Sequence, residues 1–209
     1  MLFHGAIAPS PRRVRIFIAE KGLTIPTHMV DLGKKEQFSA EYLAKNPRGT
    51  VPTLQLDDGT CLWDTLAICE YLEAQYPDVP LLGRNAVEHA KVVMWYQRIE
   101  IDGFHAVAEV FRNASRTFKD RALPGTLTLT QIPDLVPRGK LRMQQFYAEI
   151  NDHLKSSSNV AGDFYSLADI QLLCILDFAK GWGRLPIPED STALLAWHQQ
   201  ASARPSSKL

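Results

Sequence analysis

The stretch Asn46-Pro-Arg-Gly-Thr-Val51-Pro52-Thr-Leu-Gln-Leu-Asp-Asp-Gly59, continuing through Cys61-Leu-Trp-Asp64-Thr65, constrains this chain most, because four turn and cap signals surround two short strand patterns. An X-Pro bond is the only peptide bond that adopts cis cheaply. A cis Val51-Pro52 bond at a strand start turns the Val51 N–H and C=O away from a sheet ladder and toward a peptide-like ligand. Asp57-Asp58-Gly59, between Thr53-Leu-Gln-Leu56 and Thr60-Cys-Leu62, predicts a tight hairpin, since Gly supplies the positive φ such turns need. Asp64 or Thr65 then caps a helix carrying Leu66, Ile68, Cys69 and Leu72, and the free N–H groups and partial positive charge of a helix start suit a carboxylate. Taken alone, an Asp-Thr pair before an apolar run reads first as a plain cap.

The chain before this stretch supplies a strand-helix-strand unit. Leu2 to Ile7 is a short apolar run, Ala8-Pro9-Ser10-Pro11 leads into a helix, and Arg12 to Gly22 places Val14, Phe17 and Ile18 on one face with Arg13, Glu20 and Lys21 off it. Pro26 to Asp31 alternates as a second strand, expected to pair in parallel with the first. A polar loop from Gly33 to Gln37 precedes a short helix from Ser39 to Lys45, stopped by Asn46-Pro47. Residues 1–76 therefore read as an α/β unit with a four-stranded mixed sheet.

Residues 77–84, rich in Pro and Gly, read as a linker, and residues 85–209 as an all-helical unit. Apolar residues recur at near-helical spacing from Asn85 to about Phe118, with Gly103 as a kink point, and again from Pro137 to Lys155. Leu123 to Val136 holds Pro124, Gly125 and Pro133 and is expected as an irregular connection near a cleft. Ser166-Leu-Ala-Asp169 is a capping-box pattern. The run Ile170 to Leu176 behind it is apolar nearly all round, which places that helix at the centre of the unit. A last helix is expected from Ser191 to Ala203.

Composition excludes several classes. Lysine plus arginine equals aspartate plus glutamate at 23 each in 209 residues, so neither nucleic acid nor an anionic membrane surface is an expected partner. Cys61, Cys69 and Cys174 form no Cys-x-x-Cys, and the six histidines show no metal-binding helical pair, so reduced thiols and no metal are expected. No signal peptide and no membrane-length apolar run is present, and a cytoplasmic location follows as the expectation. The terminal Ser207-Lys208-Leu209 would matter only as a peroxisomal address in a eukaryote.

Four segments together resemble the cytosolic glutathione S-transferase family, over essentially the whole length. They are Arg13-Val-Arg-Ile-Phe-Ile-Ala-Glu-Lys-Gly22, Asn46-Pro-x-Gly-x-Val51-Pro52-x-Leu54, Asp64-Thr65-x-Ala-Ile-x-x-Tyr-Leu72 and Gly162-Asp-x-x-Ser166-x-Ala-Asp169. The resemblance, to a bacterial type with a serine/cysteine-like first loop, implies a thioredoxin-like N-terminal domain followed by a helical-bundle domain, and a homodimer. It further implies that glutathione is a co-substrate lying along Val51 before Pro52, with its γ-glutamyl end at Asp64 and Thr65; Lys35 and Gln37 are the candidates for its glycyl carboxylate, or else belong to a solvated loop. The position where the family places a serine or cysteine aligns with Ala8, which donates no hydrogen bond, so Ser10 is the candidate thiolate donor. The second substrate is expected between the domains, lined by Tyr96, His105, Phe111 and Arg112. Aromatic residues at helical spacing also read as core, and His105 as a buried or satisfied histidine before an acid/base.

Three function classes follow from the resemblance. The first is addition of the glutathione thiolate to small electrophiles, a detoxification chemistry. The second is glutathione-dependent reduction or isomerisation, against which the missing cysteine at position 8 argues for any route through a protein mixed disulfide. The third is a non-catalytic binding module, encouraged by Ala8.

Overall fold

The structure, a computed structural model, describes all residues 1–209. It divides into two compact units, Met1–Pro80 with Pro124–Leu127 and Leu209, and Leu81–Leu123 with Thr128–Lys208.

In the first unit the chain runs β1 (Leu2–Gly5), α1 (Pro9–Glu20), β2 (Thr27–Met29), α2 (Ala40–Lys45), β3 (Thr53–Gln55), β4 (Cys61–Trp63) and α3 (Thr65–Gln75). The sheet order is β2-β1-β3-β4, with β1 parallel to β2 and both other pairs antiparallel. Phe3 and Leu54, partners across β1 and β3, are fully buried, as are Val14, Ile16 and Phe17 of α1 and Ile68 and Leu72 of α3. Strand side chains alternate between faces, so His4 and its partner Thr53 point the other way, where Tyr42 of α2 meets both. The β3–β4 turn closes as expected, with Leu56 N–H donating to Thr60 O and Gly59 at φ 87°.

Two charged residues, one within α1 and one at its C-cap, depart from the sequence reading. Arg13 and Lys21, placed off the apolar face, are 1% and 8% exposed. Each is buried because it has partners. Arg13 donates to Ser10 Oγ, and Lys21 Nζ lies 2.7 Å from the carbonyls of Tyr76 and Val79 and from Glu73 Oε2. The ammonium group thus ties the end of α1 to the chain leaving α3. Lys21→Met is expected to destabilise the protein by about 3 kcal/mol, since one partner of a buried pair is removed and two carbonyls lose a donor. A shift of the denaturant midpoint corresponding to less than about 1 kcal/mol would mean that water replaces the ammonium group.

In the second unit α4 (Ala86–Ile99) continues through a π-helical turn at Glu100–Phe104 into α5 (His105–Ala114). The kink expected at Gly103 is this turn. A Cβ on Gly103 would approach Phe146 Cζ to 2.9 Å, so the bulge sits where helix and ring meet most closely. The remaining helices are α6 (Leu135–Leu154), α7 (Leu167–Phe178) and α8 (Thr192–Ser202). Every residue of α7 except Asp177 is buried, in agreement with its all-round apolar sequence. Its capping box forms, and Asp169 accepts from Val160 N–H at 2.9 Å, Ser166 N–H at 3.0 Å and Ser166 Oγ at 2.9 Å.

The sequence reading missed the 3₁₀ turn at Pro205–Lys208, where Ser207 is buried and its hydroxyl donates to the carbonyls of Ser202 and Arg204. No helix is long and apolar enough to cross a membrane.

Candidate active site

Three backbone features of the first unit converge in type: a helix start, an unpaired strand edge and a second helix start. Helix α1 begins at Pro9 with Ala8 as its N-cap and no side-chain cap. Pro9 and Pro11 have no N–H, Ala8 N–H donates to Ala6 O, and Arg12 N–H donates to Ala8 O. Ser10 therefore holds the one free N–H of the first turn. Its hydroxyl oxygen accepts from Arg13 Nη2 at 3.0 Å, which leaves the hydroxyl proton uncommitted. Arg15 Nη1 donates to Ala6 O at 2.8 Å and holds the loop ahead of this turn.

The Val51-Pro52 bond is cis. The loop before it is braced by hydrogen bonds of its own. Tyr42 OH donates to Thr50 O at 2.7 Å and lies 3.0 Å from Thr53 Oγ1, Asn46 Nδ2 donates to Thr50 O at 2.8 Å, and Arg48 N–H donates to Asn46 Oδ1. Val51 itself makes no hydrogen bond within the chain, so one donor and one acceptor stand free in an otherwise fixed loop.

Asp64 is the N-cap of α3 at φ 87°, ψ 136°, a left-handed conformation that costs a non-glycine residue about 1–3 kcal/mol. Its carboxylate accepts only a long 3.3 Å bond from Leu66 N–H and is otherwise exposed. Thr65 corrects the expectation of a ligand-facing hydroxyl. It is 3% exposed and Oγ1 donates to Ser10 O at 3.3 Å, so its hydroxyl ties α3 to the first turn of α1.

Lys35 is exposed at φ 59°, ahead of the 3₁₀ turn Glu36–Phe38. Gln37 is 8% exposed, and its Oε1 is buried without a partner. A buried amide oxygen without a donor is costly, so Gln37 is held here by packing with one of its polar atoms unsatisfied. No three His, Cys, Asp or Glu side chains gather in a metal-holding group.

In the second unit the four expected lining residues separate. Tyr96 is 3% exposed and belongs to the core, which removes it from the lining set. Of the buried or satisfied histidine expected at 105, the structure gives an exposed ring whose Nε2 lies 3.8 Å from Glu100 Oε1. Phe111 stands edge-on to Phe118, Phe178 and Trp182, with ring centroids 4.8, 5.4 and 5.6 Å away. The Arg112 guanidinium lies over the Phe118 ring at 4.7 Å, and Nη1 donates to Arg121 O. Burial, helped by the charge of Arg121, pushes Arg112 down to about 10.

Sequence reasoning missed Arg13, Tyr42, Asn46, Phe118, Phe178, Trp182 and Arg121. The Ser10/Arg13 spacing of three on one helix was the available signal for Arg13. No local pattern joins Phe111 to Trp182.

A thioredoxin-like α/β unit with a cis-proline strand edge, paired with an all-helical unit, defines a class of two-part, glutathione-type transferases. The family model "Glutathione S-transferase, N-terminal domain" matches residues 8–75. The chain is 33% identical over 210 residues to glutathione S-transferase 2 of Saccharomyces cerevisiae, covering 100% of this chain and 88% of that protein. Among solved structures it is similar to a glutathione S-transferase domain-containing protein of Marinobacter aquaeolei, with 35% identity, TM-score 0.90 and 99% of each chain covered. It is similar also to Gtt2 from Saccharomyces cerevisiae, with 32% identity, TM-score 0.90 and coverage of 100% and 99%. The chain belongs to the glutathione S-transferase family.

Proposed function

We propose that this chain binds glutathione and adds its thiolate to small electrophiles. The observation that carries the reading is Val51, whose free N–H and C=O suit antiparallel pairing with the cysteinyl part of the tripeptide. The γ-glutamyl end takes the N–H groups at the start of α3 through its carboxylate and the Asp64 carboxylate through its ammonium group. Gln37, donating through Nε2, and Lys35, through its ammonium group, take the glycyl carboxylate. Residues 1–76 form the glutathione-binding domain, 77–84 the linker, and 85–209 the domain that holds the second substrate on the side of His105, Phe111 and Arg112. The protein acts as a cytoplasmic homodimer.

The chemistry needs an anion. A free thiol has a pKa of about 8.5, and a helix start with a hydroxyl donor favours the thiolate by stabilising its charge. The thiol proton passes to water, the sulfur forms a bond to the electrophilic carbon, and the leaving group departs with its electron pair.

Retention on immobilised glutathione, followed by turnover of 1-chloro-2,4-dinitrobenzene and of a small disulfide, tests the reading. Retention with aryl turnover supports it. Disulfide turnover alone indicates the reductase class, and neither retention nor turnover indicates a binding module. Gln37→Leu, which removes the amide but keeps the volume, is expected to raise the KM for glutathione about tenfold with kcat little changed, the mark of lost ground-state binding. An unchanged KM would place the glycyl end elsewhere.

A further inference from the structure

We infer that the helical unit selects aromatic substrates bearing an anionic group, a carboxylate or sulfonate, and that Arg112 is the residue that reads the charge. The inference rests on the transferase reading only for calling such a substrate an electrophile.

Arg112 is partly buried, yet no carboxylate lies within ion-pair distance of it or of Arg121, although most other ion pairs of the unit are formed. Arg138 and Arg142 share Glu109, and Arg98 has Asp102 and Glu149. Arg112 has only the Arg121 carbonyl, through one of its five N–H groups. Arg121 is similarly placed, donating to Thr117 O and lying 5.5 Å over the same Phe118 ring. Two guanidinium groups over one ring, neither neutralised, form a local positive centre that favours an incoming anion. The downward push on Arg112 from burial and from Arg121 has the same origin, because a bound anion would relieve both.

The ring specificity comes from the neighbouring residues. Phe111 presents its ring between Phe118, at the cationic end, and Trp182, which is 60% exposed. Aromatic surfaces of this kind hold a flat ring by offset or edge contacts. An anionic substituent on that ring then meets Arg112 at the end of α5, where a planar guanidinium binds carboxylate or sulfonate through paired N–H groups.

Two ligands without a leaving group separate binding from turnover: 3,5-dinitrobenzoate and 1,3-dinitrobenzene, titrated against the wild-type protein by Trp fluorescence without glutathione. The anion is expected to bind at least tenfold more tightly, and the preference should shrink as salt is raised, because screening weakens only the charged contact. In Arg112→Gln the ratio is expected to fall to within about threefold of unity, and in Arg121→Gln to fall part of the way. Equal affinities in the wild type overturn the inference, as does a preference that survives Arg112→Gln in a folded variant. The wild-type ratio and its salt dependence decide the matter even if the variants fail to fold. An anion preference without aryl-halide turnover leaves this site standing and removes the transferase reading, and turnover without the preference does the reverse.

Discussion

Asp169→Ala is expected to lower the stability of the protein by about 3 kcal/mol at pH 7. The carboxylate is fully buried and accepts from the backbone of Val160 and from both the backbone and the hydroxyl of Ser166, with Trp197 of α8 also bonding to it. Alanine leaves three N–H groups, those of Val160, Ser166 and the Trp197 indole, without their acceptor, at roughly 1–3 kcal/mol each, and detaches the segment before α7 from the helix at the centre of the unit. Relief from burying a charge offsets part of this, which keeps the figure near 3 rather than 6 kcal/mol. Asp169→Asn should lie between, because the amide still accepts once but turns a donor toward another donor. Urea unfolding followed by circular dichroism measures the series, and an Asp169→Ala midpoint equal to the wild type would mean that the cap contributes nothing net.

The same residue predicts a pH dependence of definite sign. Burial raises the Asp169 carboxyl to about 6, above its ordinary 3.8, even though its hydrogen bonds pull the other way. A carboxyl with a raised folded value binds its proton more tightly when folded. Its contribution is therefore fully present below about pH 4 and is lost as pH rises through about 6. Against Asp169→Asn, which does not titrate, the wild type should gain about 2 kcal/mol between pH 7 and pH 4. A stability difference constant across that window would show that the hydrogen bonds, and not burial, dominate.

The capping box was legible because it is written in four consecutive residues, Ser166 to Asp169, and so were the hairpin at Gly59 and the cis bond before Pro52. Each is a local rule in which backbone geometry selects the residue type. What the sequence could not show is which charges have partners. Lys21 reads as a solvated end of α1 until Tyr76, Val79 and Glu73, more than fifty residues away, are brought to it. Arg112 reads as a candidate lining residue, but its lack of a carboxylate partner emerges only when Arg121 and Phe118 are brought beside it. Burial of a charge is decided by tertiary partners, and periodicity carries no record of them.

Thr65 shows the same limit within the candidate site. As a residue type it kept the hydroxyl expected at a helix start, yet the hydroxyl turns inward to Ser10 O and becomes a brace between α1 and α3. The groups of the first unit left without a partner in the chain are thus mainly backbone: the Val51 N–H and C=O and the Ser10 N–H. Backbone groups are carried by every sequence, which is why the fold of the site was easier to anticipate than its chemistry.

Ser10→Ala is the variant with the largest expected effect on turnover, a loss in kcat of about 10- to 100-fold with the KM for glutathione changed by less than about twofold. The first turn of α1 is short of donors, since Pro9 and Pro11 have no N–H and the N–H groups of Ala8 and Arg12 already bond to carbonyls. A thiolate at this helix start has one backbone N–H and one hydroxyl available, both from Ser10. Because Arg13 Nη2 bonds to the hydroxyl oxygen, the proton is the free end, and the buried guanidinium polarises it toward an anion. Removing the hydroxyl halves the donors and leaves the N–H in place, so binding survives while the charged sulfur is less stabilised. The ultraviolet absorbance of the bound thiolate, followed against pH, should show its pKa rising by about one unit toward the free-thiol value of about 8.5. Ser10→Thr should recover most of the loss, as it restores the hydroxyl at the same atom. Wild-type turnover in Ser10→Ala, with an unmoved thiolate titration, would transfer the whole task to the Ser10 N–H and the helix start, and Ala8 would then cost the site nothing.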